Sequence, residues 1–176
     1  NLQGADIETS GTYTVHMLND EDIVQNKVID GTFKTGEQTE LKNRLQTLAS
    51  GKYQLQVTAK DNKGNDIAEK KDFVIYSYDD KKPPIITNQW IVRKNTNFGN
   101  KPVEVIYGTS QKEKYVLYQL FNNDKIFERR YVKLSEENQK FYVMYKPEYG
   151  DEVYMSFTSV SDGTSSTENI LLQNEQ

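Results

Sequence analysis

The residues able to do chemistry are few, and their spacing decides what they can do. His16 is the single histidine. A nucleophile–base pair or an imidazole metal site would require partners around it. His16 instead follows Thr12 and Thr14 on the polar phase of an alternating run, which predicts a solvated side chain on the wet face of a strand. The chain has no cysteine, which excludes a disulfide, a thiolate metal site and a cysteine nucleophile. Asp61, Asn62, Asn65 and Asp66 carry oxygens of the kind that bind calcium. Their spacing does not match a calcium loop of the helix–loop–helix type, and the same residues are favoured in tight turns. Gly108-Thr109-Ser110 lacks the following lysine and helix of a phosphate-binding loop. Carboxylates are plentiful, but no two of them flank an apolar pocket as glycoside hydrolysis requires. No catalytic, cofactor-binding or metal-ligating residue emerges, and a binding residue is left open.

Two further groups have a binding chemistry and a bland alternative. Tyr76, Tyr78 and Trp90 have the makings of an aromatic platform for a sugar; as large rings they equally suit packing at a junction between domains. Arg129 and Arg130 have the charge to grip an acidic partner, or lie on a solvated face. The charges of both signs are mixed along the chain rather than gathered in blocks, and such mixing favours the bland reading.

The elements that must position these residues are strands. In 48–65, Tyr53, Leu55, Val57 and Ala59 alternate with polar residues, and Asp61-Asn62-Lys63-Gly64-Asn65 turns the chain. A returning strand carries Phe73 and Ile75, which makes a hairpin. Before it, residues 1–10 form a polar lead-in, 12–17 a first strand, and Val28 to Phe33 a second, interrupted at Asp30-Gly31 by a bulge or bend. Leu41, Leu45 and Leu48 read as a loop whose leucines plug the core, or as a short helix. After it, Ile85, Ile86, Trp90, Ile91 and Val92 form an apolar group that shields the tryptophan. Val103–Tyr107 alternates, while Tyr115–Phe121 is apolar at most positions and predicts a central strand covered on both faces. Asn122-Asn123-Asp124 turns into Ile126–Leu134. Phe141–Tyr145 and Val153–Phe157 follow, separated by a turn at Glu148–Asp151. Asp162–Thr167 is a loop before a last strand at Ile170–Leu172. Short strands at this spacing, with no sustained helical period, predict antiparallel β-sandwiches.

At 176 residues the chain suits two domains. Each would bury about 60–65% of its unfolded surface and fold without covalent staples. Asp79-Asp80-Lys81-Lys82-Pro83-Pro84 breaks the alternation, because prolines cannot donate to a ladder and the charges cannot enter a core. It predicts a short linker, with one domain over residues 1–82 and another over 83–176. The net charge of −4 argues against a nucleic-acid partner. No apolar run is long enough for a transmembrane helix, and no signal peptide is recognisable. Asn1-Leu2-Gln3-Gly4 does not read as an initiator region, which favours a piece of a longer exported chain.

Several segments in order resemble a known family. Gly51-Lys52-Tyr53 with the 61–65 turn is common among bacterial immunoglobulin-like modules. It is followed by Phe73–Tyr76, Asp79-Asp80, Pro83-Pro84 and Trp90. Then come Val103–Ser110, Tyr115–Tyr118, Arg129–Ser135 and Pro147–Gly150. Over about residues 11–160 this succession resembles the macroglobulin domains of bacterial alpha-2-macroglobulin-like proteins, particularly the large cell-envelope forms of Bacteroidetes-type bacteria. The resemblance implies two tandem immunoglobulin-like, macroglobulin-type sandwiches within a larger protein of the periplasm or outer cell surface. Their partners would be neighbouring domains of the same chain and, through the full-length protein, proteases. In that family trapping depends on a bait region and often on a thioester of Cys and Gln. This chain has no cysteine and departs from the family glycine-rich pattern after Tyr149. The expectation is therefore a non-catalytic scaffold without cofactor or site residues. A glycan- or protein-binding module of a surface protein is the alternative.

Overall fold

A computed structural model describes residues 9–61, 63–99, 101–161 and 163–174. The architecture is all-β and antiparallel, of the immunoglobulin-like sandwich type, with one short α-helix and one 3-10 turn among the described residues. The chain divides into two compact units, Asn1–Ser77 and Tyr78–Gln176.

The first unit holds β1 (Ser10–Leu18), β2 (Val24–Lys34), α1 (Leu41–Leu45), β3 (Gly51–Lys60) and β4 (Asp66–Ile75). Its strands form one sheet in the order β2-β1-β3-β4. The 48–65 hairpin has the expected register: Tyr53 faces Phe73 and Gly51 faces Ile75. Cross-strand partners share a face, so Tyr13, Val15, Ile29, Tyr53 and Phe73 lie on the apolar side. Of these, Tyr13, Val15, Ile29 and Tyr53 are buried. Leu41, Leu45 and Leu48 pack against them, so the three leucines do plug the core, two of them from a helix. Asp30-Gly31 does not interrupt β2, which runs unbroken; the register shifts fall instead between Val15 and Leu18. Gly31 is needed for another reason. A Cβ there would lie 2.4 Å from the Tyr13 hydroxyl.

The second unit comprises β5 (Trp90–Asn95), β6 (Val103–Thr109), β7 (Lys114–Phe121), β8 (Ile126–Leu134), β9 (Glu137–Val143), β10 (Glu152–Ser161) and β11 (Thr164–Gln173). Sheet β11-β10-β7-β8 faces sheet β5-β6-β9. The fourth strand thus sits beside the third, whereas a constant-type immunoglobulin domain places it in the opposite sheet. Rings from both sheets clasp the centre. Tyr107 stacks on Phe157 at 4.8 Å, Tyr118 on Phe141 at 5.1 Å, and Phe141 meets Phe157 edge-on at 4.9 Å. Such pairs add about 0.5–1.5 kcal/mol each beyond the area they bury.

Three expectations change in this unit. The division falls at Ser77/Tyr78 rather than 82/83, because residues 78–81 are bound to the second unit. Asn138 donates from its backbone N to the Lys81 carbonyl at 2.8 Å and from Nδ2 to the Asp80 carbonyl at 3.1 Å. Lys140 pairs with Asp79 at 2.9 Å. The stretch expected to be a linker is a strap along β9. Second, β7 is central in its sheet but covered on one face only: Val116, Tyr118 and Leu120 are buried, while Tyr115 is 59% exposed. Third, Thr164–Thr167 belongs to β11 rather than to a loop, paired with β10 as far as Ser161↔Thr164; Asp162 lies outside the described residues. Trp90, expected to be shielded, is of intermediate burial; it opposes Gly108 on the side of its sheet that also holds the buried Val92 and Ile106.

Candidate functional site

The structure separates the residues that had chemistry in prospect. His16 lies on the polar side of the first sheet, opposite Gln54 and Lys27. It is half-buried rather than solvated, and its Nδ1 is enclosed with no hydrogen-bond partner in reach. Neighbouring polar side chains satisfy one another: Gln54 donates to Asp72 at 2.9 Å, and the Thr12 and Thr58 hydroxyls lie 2.7 Å apart. No carboxylate bonds the imidazole, so the geometry of a general base is not assembled.

The Asp61 carboxylate is consumed by its own turn. Oδ1 accepts from the Lys63 and Asn65 backbone at 2.8 Å, and Oδ2 accepts from Asn65 Nδ2 at 2.8 Å. The Asn65 side-chain bond, then the backbone donors, hold its pKa below the usual carboxylate range. Asp66 pairs with Lys60 at 2.8 Å, and Asn62 lies outside the described residues. Among the described residues no three His, Asp or Glu side chains gather as a metal ion would require.

Gly108-Thr109-Ser110 is the end of β6 and fastens the chain before β5. The Ser110 backbone N donates to the Thr87 carbonyl at 2.8 Å, and its hydroxyl donates to the Ile85 carbonyl at 3.2 Å. Gly108 leaves room for the Asn138 amide, which a Cβ would meet at 1.9 Å. Tyr76 belongs to the first unit and Tyr78 and Trp90 to the second; the Lys94 ammonium sits 5.1 Å above the Tyr78 ring. Lys94 is held protonated to higher pH mainly by its bond to Glu104, at 2.8 Å.

Arg129 and Arg130 fall on opposite faces of β8. Arg129 faces outward beside Gln119, whose amide oxygen, in the orientation that satisfies both groups, accepts from the guanidinium at 3.0 and 3.1 Å. Arg130 turns inward at the sandwich rim. It bonds Glu128 at 3.0 Å and lies 4.9 Å over the Tyr118 ring and 5.4 Å over Phe141. An inward charge on an edge strand also discourages pairing with a foreign strand.

Sequence reasoning missed two features. Lys114, which ends the charged run Lys112-Glu113-Lys114, is only 3% exposed. Its ammonium donates to the Asn88 carbonyl and lies 5.7 Å over the Tyr107 ring; burial lowers its pKa. It is the first inward-facing residue of β7, and alternation back from Val116 marks that position. The second feature is the outer face of β7, β8 and β10. Tyr115 (59% exposed), Tyr131 (78%) and Val160 (67%) stand there around Leu117, and Phe121 stacks on Tyr154 at 5.6 Å. Here the alternation marks the side and the aromatics mark the patch, yet the apolar density of Tyr115–Phe121 reads as burial.

No helix of the described residues is long and apolar enough to cross a membrane. No family model and no curated protein matches the chain. Among solved structures it is similar to the crystal structure of a tetra-tandem repeat in the extending region of a large adhesion protein. That match has 10% sequence identity and a TM-score of 0.35, and covers 97% of this chain and 43% of that one.

Proposed function

We propose that the chain is a non-catalytic scaffold module of a large, exported alpha-2-macroglobulin-like protease-trapping protein of the cell envelope. The observation that carries the reading is the economy of the connection between the units. β4 ends at Ile75 and Tyr78 is already fixed beneath Lys94, so only Tyr76 and Ser77 link two antiparallel β units. A connection that short limits the slack between neighbouring modules, as a spacer requires. The ordered resemblance over about residues 11–160 supplies the family. Trapping would need a cleavable bait coupled to a conformational change elsewhere in the parent protein. Mixing the purified chain with several endopeptidases, and following a large protein substrate beside a small peptide, tests this. Both substrates should be cut at the control rate; near-stoichiometric protection of the large one alone would refute the scaffold role.

The exposed Tyr115 and Tyr131 favour a second reading, in which the outer face of the second unit binds a glycan. Rings on a flat sheet face stack on sugars and exclude water from their apolar sides. Titration with soluble oligosaccharides should then perturb tyrosine fluorescence, and Tyr131→Ala should abolish the change. No response across neutral, acidic and amino sugars would eliminate it.

A further inference from the structure

The four-stranded sheets of the two units are built alike. In each, a first hairpin (β1–β2, or β7–β8) is followed by a crossing segment and a second hairpin (β3–β4, or β10–β11). The strand orders β2-β1-β3-β4 and β8-β7-β10-β11 correspond one to one. The crossing segment is α1 in the first unit and β9 in the second. What differs is the layer opposite. The second unit covers its sheet with β9 and with β5–β6, the two strands that precede its first hairpin; among the described residues, the first unit has no counterpart of β5–β6. The apolar face is accordingly open. Leu55, Val57, Phe33 and Phe73 are only half-buried, and Ile67 is 48% exposed. A hollow of about 340 Å³, lined by Tyr13, Phe33, Leu41 and Val57, lies over it.

Resting on the proposed reading of the chain as a module of a longer protein, we propose that this face is the docking surface for two antiparallel β-strands of the parent polypeptide on the N-terminal side of Asn1, packed as β5 and β6 pack in the second unit. The entry point fits. Thr9 is tied to Thr35 and to the Lys60 carbonyl, so the chain reaches β1 at the Phe33–Lys60 end of the sheet, beside the hollow. Residues 110–113 suffice to carry β6 into β7, so a connection of a few residues is enough for such a passage between layers. The incoming strands would alternate apolar and polar residues, apolar side inward, because the surface they meet on β1, β2 and β3 is a ladder of Tyr, Val, Ile, Leu and Phe, its charges Glu69 and Lys71 standing on the edge strand β4.

The test compares this chain with the polypeptide lengthened by its natural preceding residues, each alone and as Val57→Lys. The 176-residue chain should be monomeric by light scattering and should enhance the fluorescence of an apolar dye, with Val57→Lys losing that enhancement. The lengthened chain should lose it without mutation, and Val57→Lys should restore it. Circular dichroism controls for folding, and Ile67→Lys, at a more exposed position of the same face, serves as the second variant. Dye binding that persists in the lengthened chain overturns the proposal. So does a dimer of the 176-residue chain broken by Val57→Lys, which would make a second copy the occupant, or a reading frame without two strand-forming segments before Asn1.

Discussion

The two units use one hairpin arrangement and stabilise it unequally. Among the described residues, seventeen buried apolar side chains form the second core, against four in the first. Both sheets have long ladders, so the difference does not come from strand length. It comes from the second layer, since a sheet stabilises a fold chiefly by what its apolar face is pressed against. α1 offers two leucines where β6 and β9 offer Val103, Val105, Tyr107, Phe141 and Val143. Two consequences follow: the units should unfold separately, and damage to one core should leave the other intact.

Phe157→Ala tests this with the largest expected effect. Phe157 is fully buried and touches Tyr107, Tyr118 and Phe141. Its truncation removes ring contacts to both sheets and should cost about 3–5 kcal/mol. In a thermal scan the upper of two transitions should move down while the lower stays. A single transition that shifts as a whole would break the comparison.

Gly108→Ala comes next, at about 1–3 kcal/mol for overpacking. The added methyl would collide with the Asn138 amide, whose backbone and side chain bind the strap at Lys81 and Asp80. Hydrogen exchange should show residues 78–82 loosening before the strands do. Exchange that rises in the sheet but not in the strap would mean that the strap is held by something other than β9.

These sites also show how far a sequence can be read. The 48–65 hairpin was legible because Tyr53, Leu55 and Val57 alternate without interruption and Gly64 closes the turn with φ +84°. The all-β class followed from the same signal. The strap was not legible: Asp79–Pro84 has the composition of a linker, and only the tertiary fit of Asp79 to Lys140, and of two carbonyls to Asn138, fixes it. Lys114 was overlooked because charge composition outweighed its alternation phase. The half-open first core was invisible for a deeper reason, since periodicity tells which face of a strand is apolar but not whether anything covers it. Of the residues with chemistry in prospect, Asp61 and Ser110 proved to be engaged in holding the backbone, a role their types also predict.

Acid titration makes the smallest and most selective test. Each unit has a depressed carboxylate at a diagnostic place. Asp61 is lowered chiefly by its bond to Asn65 in the first unit's hairpin turn, and Asp79 by its bond to Lys140 in the second unit's strap. A folded pKa below the unfolded value means that the unfolded chain binds protons first. The stabilisation is therefore complete above the ordinary carboxylate pKa, near 4, and is lost as pH falls through the lower folded value. Both groups are solvent-facing, so the effect is modest and salt should weaken the Asp79 pair more than the Asp61 turn, whose donors are mostly backbone N–H groups. Asp61→Ala should reduce the acid sensitivity of the lower transition and Lys140→Met that of the upper one, each leaving the other profile unchanged; Asp30 in the first unit and Glu113 in the second, both also lowered by lysine partners, keep the remainder. If Lys140→Met altered the acid limb of the lower transition, the two units would be thermodynamically one body and the comparison between them would fail.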